Sequence, residues 1–251
     1  MKVALITGAA QRIGEAITRA LAADGWAVAI HYHGSSAHGE DLAADICQHG
    51  GTAEIFPADF TREEDVQGLV ARVEEKMGQV TCLINNASVF ENDTALSATL
   101  DSWNRHMGVN LRSPFVLSQK FAKSLGTEMT GSIINIIDQR VWNLSPHFTS
   151  YTVSKAGLWT LTQTMALALA PNIRINAIGP GPTLPSVRQS AEDFSAQYTS
   201  VPLKKQTDLV DISNAVLYIL GATSMTGQMI ALDGGEHLGW SQGDNKTAPV
   251  E

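Results

Sequence analysis

The stretch Lys2–Gly14, KVALITGAAQRIG, decides how the rest of the chain is read. An apolar, β-branched run from Lys2 to Thr7 gives way at Gly8 to a tight turn, and helical spacing of apolar residues follows from position 13 to about 24. A strand, a glycine turn and a helix in that order begin a βαβ unit. Glycines at positions 8 and 14 let the backbone approach a pyrophosphate, which then rests on the free N–H groups at the helix N-terminus. A glycine turn alone is a weak sign; this one sits between a strand and a helix, which makes it a dinucleotide site rather than a structural turn.

Working outward, strand-like runs recur at Ala27–Tyr32, Thr52–Ala58, Val80–Asn86, Gly131–Ile137, Ile173–Ile178 and Gly227–Leu232. Between them, helical spacing appears near 13–24, 39–49, 62–77, 101–125, 151–169 and 208–220. This alternation predicts an α/β, doubly wound Rossmann fold: a seven-stranded parallel sheet with helices on both faces. One domain over residues 1–251 is expected, because no linker divides the chain. Residues 179–203, rich in Pro, Ser and Thr, read as a long substrate loop or lid, and 240–251 as a polar tail.

The composition narrows the partners. Seventeen basic against 25 acidic residues give a formal charge of −8, which argues against nucleic acid and anionic membranes as main partners. A small soluble molecule fits better. Cys47 and Cys82 form neither a disulfide framework nor a metal-ligand spacing, so no metal is expected and a reducing, cytoplasmic compartment fits. No apolar run nears the roughly 20 residues needed to span a bilayer. The opening residues read as a strand rather than a signal peptide, since Arg12 follows at once.

The end of the second strand bears on which dinucleotide is bound. An NAD site places an acid there to accept from the ribose 2′-hydroxyl. Here His31–Ser36 reads HYHGSS, without an acid. His33, Ser35 and Ser36 can donate to a 2′-phosphate, and Arg12 in the glycine turn can reach the same place, so NADP(H) is favoured. Asp59 suits either the adenine amino group or a helix cap.

Two further features carry chemistry. Tyr151 and Lys155, four apart in YTVSK, share one face of a helix, and an ammonium beside a phenol favours the phenolate. Asn110 stands within a helical stretch, where Asn is a poor helix former, and is expected to interrupt it. Asp138 ends the apolar run INIID, either capping the turn that leaves the strand or acting on a substrate.

These residues together resemble the short-chain dehydrogenases/reductases. TGAAQRIG is similar to that family's glycine motif, NNAS (Asn85–Ser88) to its Asn-Asn-Ala-Gly motif, and Tyr151 with Lys155 to its Tyr-x-x-x-Lys pair. INAIGPG (Ile175–Gly181) and LDGG (Leu232–Gly235) are similar to its later landmarks. The resemblance implies Tyr151 as general acid, Lys155 as ribose holder and tuner of Tyr151, and Asn110 as anchor of a water. It further implies that Ile13, Asn86, Ala87, Ser88, Pro180 and Gly181 line the cofactor. The family's catalytic Ser stands thirteen residues before the Tyr, and here that position is Asp138.

Asp at this position resembles the pteridine reductases and dihydromonapterin reductases, as do Arg12, HYHGSS, Phe90 in NNASVF and LDGGEHL. That branch often has Arg where Gly34 stands. The resemblance implies an NADPH-dependent reductase of dihydropterins or dihydrofolate, with Arg12, Ser88, Phe90, Asp138 and Tyr151 on the substrate and a tetramer or dimer as the assembly. A flat ring can stack on Phe90, which otherwise is an ordinary loop hydrophobe. Hydride to a ring C=N leaves the adjacent nitrogen needing a proton, which Asp138 and Tyr151 can relay. The competing readings are a reductase of another carbonyl or imine, and a non-catalytic NADP(H)-binding protein. Trp142 is expected in the core, and His147 and His237 in structural roles.

Overall fold

The computed structural model describes residues 2–34, 36–186 and 189–239; Ser35 and the expected polar tail at 240–251 lie outside the described residues. Seven strands, β1 (Val3–Ile6), β2 (Ala27–Tyr32), β3 (Thr52–Pro57), β4 (Val80–Asn85), β5 (Gly131–Ile136), β6 (Ile173–Pro180) and β7 (Met229–Leu232), form one sheet in the order 3-2-1-4-5-6-7. Every pairing is parallel. This is the expected doubly wound sheet.

Parallel strands need crossovers, and the crossovers cover both faces, so the inner strands are predominantly apolar, with Asn85 and Asn135 hydrogen-bonded to each other. Along β1, Val3 and Leu5 enter one core while Ala4 and Ile6 enter the other. The first core packs against α3 (Glu63–Met77) and α5 (Ser113–Ser124) through Leu69, Val73, Leu117 and Phe121. The second packs against α1 (Arg12–Ala23), α2 (Ala37–Gln48) and α8 (Leu209–Gly221) through Ile17, Leu21, Leu42, Ile212 and Val216. The strand order reverses between β1 and β4, opening a crevice at their carboxyl ends where such folds bind ligands.

Two expectations change. The helical stretch 101–125 is not one α-helix: α4 (Leu100–His106) and α5 are joined by a π-helical turn, Met107–Arg112. Its widened hydrogen bonding is the interruption expected at Asn110. Residues 179–203 are not all loop, because Gly179 and Pro180 complete β6 and Ala191–Ser200 forms α7. The Ser190 side chain accepts from the Asp193 N–H at 3.1 Å, and Phe194 is buried. A capped start and one apolar anchor suffice for a helix in a Ser/Thr-rich segment.

Candidate active site

The floor of the crevice is built from the glycine turn outward. Gly8 has φ +60°, and its N–H donates to His31 Nδ1 at 2.9 Å. A Cβ on Gly14 would stand 2.1 Å from the Gly8 carbonyl oxygen, so this close approach of α1 to the turn admits only glycine. Gln11 precedes α1 without a side-chain cap, leaving the first N–H groups of the helix free to take an anion. Asn86 closes the far wall: its Nδ2 donates to the carbonyls of Thr7 at 2.9 Å and Gly8 at 3.0 Å. Ala87 N–H donates to Thr7 Oγ1 at 3.0 Å.

Two adjoining cavities share Gly8, Gln11, Ala87 and Ser88. One, about 580 Å³, runs past the ends of β2 and β3 beside His33, His38, Asp59 and Thr61. The other, about 420 Å³, lies over β5 and β6 and reaches Ile13, Gly14, Phe90, Asp138, Tyr151 and Lys155. Pro180 and Gly181, where β6 ends, also line it. A long ligand with an adenosine half and a reactive half matches this pair of spaces.

At the β2 end, His33 is largely exposed, with Nε2 3.8 Å from Asp59 Oδ1. Asp59 does not cap α3, whose N-cap is Arg62; its Oδ1 accepts from Thr61 N–H and Oγ1, ordering the turn before that helix, and the residue lines the cavity. Arg12 departs from one of its two expected places, the 2′-phosphate end. Its guanidinium donates to the carbonyls of Pro185 at 2.9 Å and Leu184 at 3.2 Å and lines the second cavity, away from His33. The backbone at Arg12 has φ +56°, and the carbonyls of the 184–185 segment offset the unfavourable placing of a cation at a helix N-terminus. Arg12 therefore stands on the reactive half of the groove, tying the glycine turn to the segment before α7.

The reactive half centres on Asp138. Its Oδ1 accepts from Arg140 N–H at 2.8 Å, capping the 3₁₀ turn Gln139–Val141, while its Oδ2 accepts from the Tyr151 hydroxyl at 2.9 Å. The capping reading of Asp138 holds, and its second oxygen is turned to Tyr151 in the cavity. Tyr151 and Lys155 project from α6 (Thr149–Ala168). The Lys155 ammonium, fully buried, donates to the Ile136 carbonyl at 2.9 Å and lies 5.8 Å from the Tyr151 ring. Burial pulls its pKa down to about 8, against the opposing pull of Asp138.

Asn110 is brought to the same place by the π turn. Its Nδ2 donates to Val89 O at 2.9 Å and Ser154 Oγ at 3.1 Å, and its Oδ1 accepts from Val89 N at 2.8 Å and Ser88 Oγ at 3.2 Å. Two donors and two lone pairs are thereby used, so the side chain has no vacant group for the expected water. Its action is to pin the Ser88–Val89 segment against α6.

Phe90 lines the cavity, and its ring is stacked on Phe148 with the centroids 4.6 Å apart. Its edge meets Tyr151, and Arg140 lies 5.9 Å from its centre. Trp142 is not a core residue as expected: it is 42% exposed, packed on His237 and Trp159. His237 holds the structural role expected, with Nδ1 2.7 Å from Asp233 Oδ2. The ring nitrogens of His147 are buried without hydrogen-bond partners, and nothing in the structure assigns it a role.

Sequence reasoning missed several residues. His31 was read only as part of HYHGSS, yet it supports the glycine turn. Gln139 and Arg140 line the reactive cavity next to Asp138. Asp93 accepts from Ser150 N–H at 3.0 Å and from Ser150 Oγ, tying down the start of α6, and Ser150 Oγ also meets His106 Nδ1 at 2.7 Å. No spacing announces these contacts, since Asp93 and Ser150 are far apart in sequence.

The family described as Enoyl-(Acyl carrier protein) reductase matches residues 8–237. The chain is 32% identical over 254 residues to the 2,3-dihydro-2,3-dihydroxybenzoate dehydrogenase of Bacillus subtilis, covering 95% of this chain and 97% of that one. It is 29% identical to the 3-oxoacyl-[acyl-carrier-protein] reductase FabG of Staphylococcus epidermidis, over 94% and 99%. Among solved structures, the FolM alternative dihydrofolate reductase 1 of Brucella canis, complexed with NADP, is similar at 46% identity and a TM-score of 0.93, covering 97% of each chain. With the sheet order, the glycine turn and the Tyr151–Lys155 pair all in place, the chain belongs to the short-chain dehydrogenase/reductase family.

Proposed function

We propose that this chain is an NADPH-dependent reductase of dihydropterins, including dihydrofolate. The observation that carries the reading is the 2.9 Å hydrogen bond from the Tyr151 hydroxyl to Asp138 Oδ2, flanked by buried Lys155. The 46% identity to a FolM alternative dihydrofolate reductase supports it.

The groove suits a dinucleotide phosphate: Gly8, Gly14 and the open start of α1 hold the pyrophosphate, His33 and Asp59 border the adenosine half, and Lys155, Pro180 and Gly181 border the nicotinamide half. When bound, NADPH supplies hydride to a ring C=N carbon. The chain supplies the proton. Tyr151 and Asp138 share one proton between two oxygens, and a ring nitrogen gaining electron density takes it from that pair. A carboxylate so placed repels the alkoxide oxygen that forms when a simple ketone is reduced, so the same geometry disfavours ketones. Ser88 and Phe90, which line the cavity, orient the ring, and Arg12 closes the groove from the glycine-turn side.

The test is NADPH and NADH consumption, measured side by side, with 7,8-dihydropterins, dihydrofolate, 3-oxoacyl thioesters and simple ketones. NADPH-dependent turnover confined to the pterins is expected; turnover of thioesters alone would replace this reading with a ketoreductase, which the FabG relatives favour.

A homo-oligomer, a tetramer or dimer, is part of the proposal. Phe115 on α5 and Val153 and Leu167 on α6 are exposed apolar residues on two helices of one face of the sheet. Light scattering on the purified protein should give a multiple of the 26.9 kDa chain mass. Two free cysteines suit a reducing, cytoplasmic setting, and no helix among the described residues is long and apolar enough to cross a membrane.

A further inference from the structure

Gln139 follows Asp138 directly, in the 3₁₀ turn that leaves β5. It is 5% exposed, yet it lines the same cavity as Asp138, Tyr151 and Phe90. Its Oε1 is buried and has no hydrogen-bond partner. Among the described residues, no other buried side-chain oxygen both lacks a partner and belongs to a residue of this cavity. Buried amides are ordinarily satisfied, because an acceptor stripped of water and given nothing in return destabilises the fold. An orphaned acceptor on a residue that lines the reactive cavity is satisfied when the side chain turns to a group that arrives with the ligand.

The chemistry of the amide narrows that group. Gln presents an acceptor and two donors in one plane, which fits a flat edge carrying a donor beside an acceptor better than an isolated carbonyl or an anion. We propose that Gln139 is a specificity-determining residue that pairs with the lactam edge, ring N–H and adjacent C=O, of a planar heterocyclic substrate. The proposal rests on the pterin reading above, since a dihydropterin carries such an edge and a 3-oxoacyl chain does not. Consecutive residues then divide the work: Asp138 handles the proton, and Gln139 sets which ring atom faces the hydride donor.

Gln139→Met tests this, because Met keeps the unbranched length and removes both hydrogen-bonding functions. The expected result is a rise of about 10- to 100-fold in KM for a 7,8-dihydropterin, the loss expected for one or two buried hydrogen bonds. The NADPH Kd should not change, and the thermal midpoint should equal or exceed that of the wild type, since an unsatisfied acceptor has been removed. The wild-type NADP⁺ complex should bind a 4-oxo pterin more tightly than its 4-deoxo analogue, and the variant should bind the two alike. Wild-type pterin turnover with an unchanged KM in the variant overturns the assignment of Gln139 and leaves the substrate reading standing. So does a weakened NADPH Kd, which gives the amide to the cofactor, or a lowered midpoint without loss of discrimination, which makes it structural. A wild-type protein that neither turns over nor binds a pterin overturns the substrate reading and this proposal together.

Discussion

At the residue scale, the two oxygens of Asp138 explain why the sequence left two readings of it open. Oδ1 does what an Asp at a strand exit commonly does, and Oδ2 meets Tyr151. Asp138→Asn keeps the shape and the cap acceptor but cannot hold a shared proton. It should lower kcat for a dihydropterin by about 100-fold or more, the usual worth of a general acid/base group, with little change in NADPH affinity. Lys155 gives a second residue-scale outcome. Its folded pKa, near 8, is below its ordinary 10.5, so between those values the unfolded chain binds the extra proton and stability rises with pH. Melts of wild type and Lys155→Met across pH 7 to 11 should show the wild type gaining stability relative to the variant between about pH 8 and 10.5. The same titration removes the ammonium from the site, so kcat should fall as pH rises through about 8.

At the element scale, the site depends on where α6 begins and on where the helix before α5 is interrupted. The Tyr-x-x-x-Lys spacing was legible because i and i+4 on a helix share a face whatever the tertiary context. The interruption at Asn110 was legible in outline, since Asn is a poor helix former, but its form as a π turn was not. That form depends on contacts to Val89 and Ser154, which come from other elements. The start of α6 was not legible either. Phe148 sits at φ +57°, and the first turn is tied down by Asp93 rather than by a residue next to it. Asp93→Ala removes this cap and leaves Ser150 short of a buried acceptor. The expected cost is about 1–3 kcal/mol in urea unfolding, with kcat falling more than NADPH affinity because Tyr151 adjoins Ser150. Asp93→Asn, which keeps one acceptor oxygen, should restore part of both.

At the scale of the whole molecule, His31 couples three strands to the groove. It lies in β2, takes the Gly8 N–H from the turn after β1, meets the Ala58 carbonyl just past β3 at 3.1 Å, and stacks on Phe60 at 4.3 Å. Accepting at Nδ1 requires the neutral ring, and burial pushes its pKa down to about 4. Below pH 6.5 the unfolded chain binds a proton that the folded chain refuses until about pH 4. Stability therefore falls as pH drops through that window, by on the order of 3 kcal/mol relative to a His31→Asn variant, which titrates nothing there. Chemical denaturation of the two proteins from pH 7 to 4 checks this; parallel curves would remove His31 from the acid sensitivity.

The sequence alone determined the strand count, the parallel sheet, the dinucleotide turn and the Tyr151–Lys155 pair, because these are written in local periodicity, in glycines where backbone must approach backbone, and in spacing along one helix; Asn110 and Asp138 joined that pair through the family resemblance. The sequence offered Arg12 to the 2′-phosphate as well as to the substrate side where it stands, read a helix at Ala191–Ser200 as loop and left Trp142 in the core. Tertiary structure alone decided that Arg12 turns to the 184–185 carbonyls, that Phe90 stacks on Phe148, that Asn110 is saturated, that His31 and Gln139 line the cavities, and that Asp93 ties down the start of α6. These are contacts between residues distant in the chain. Burial and hydrogen-bond satisfaction set them, and neither exists until the sheet has brought its carboxyl ends together.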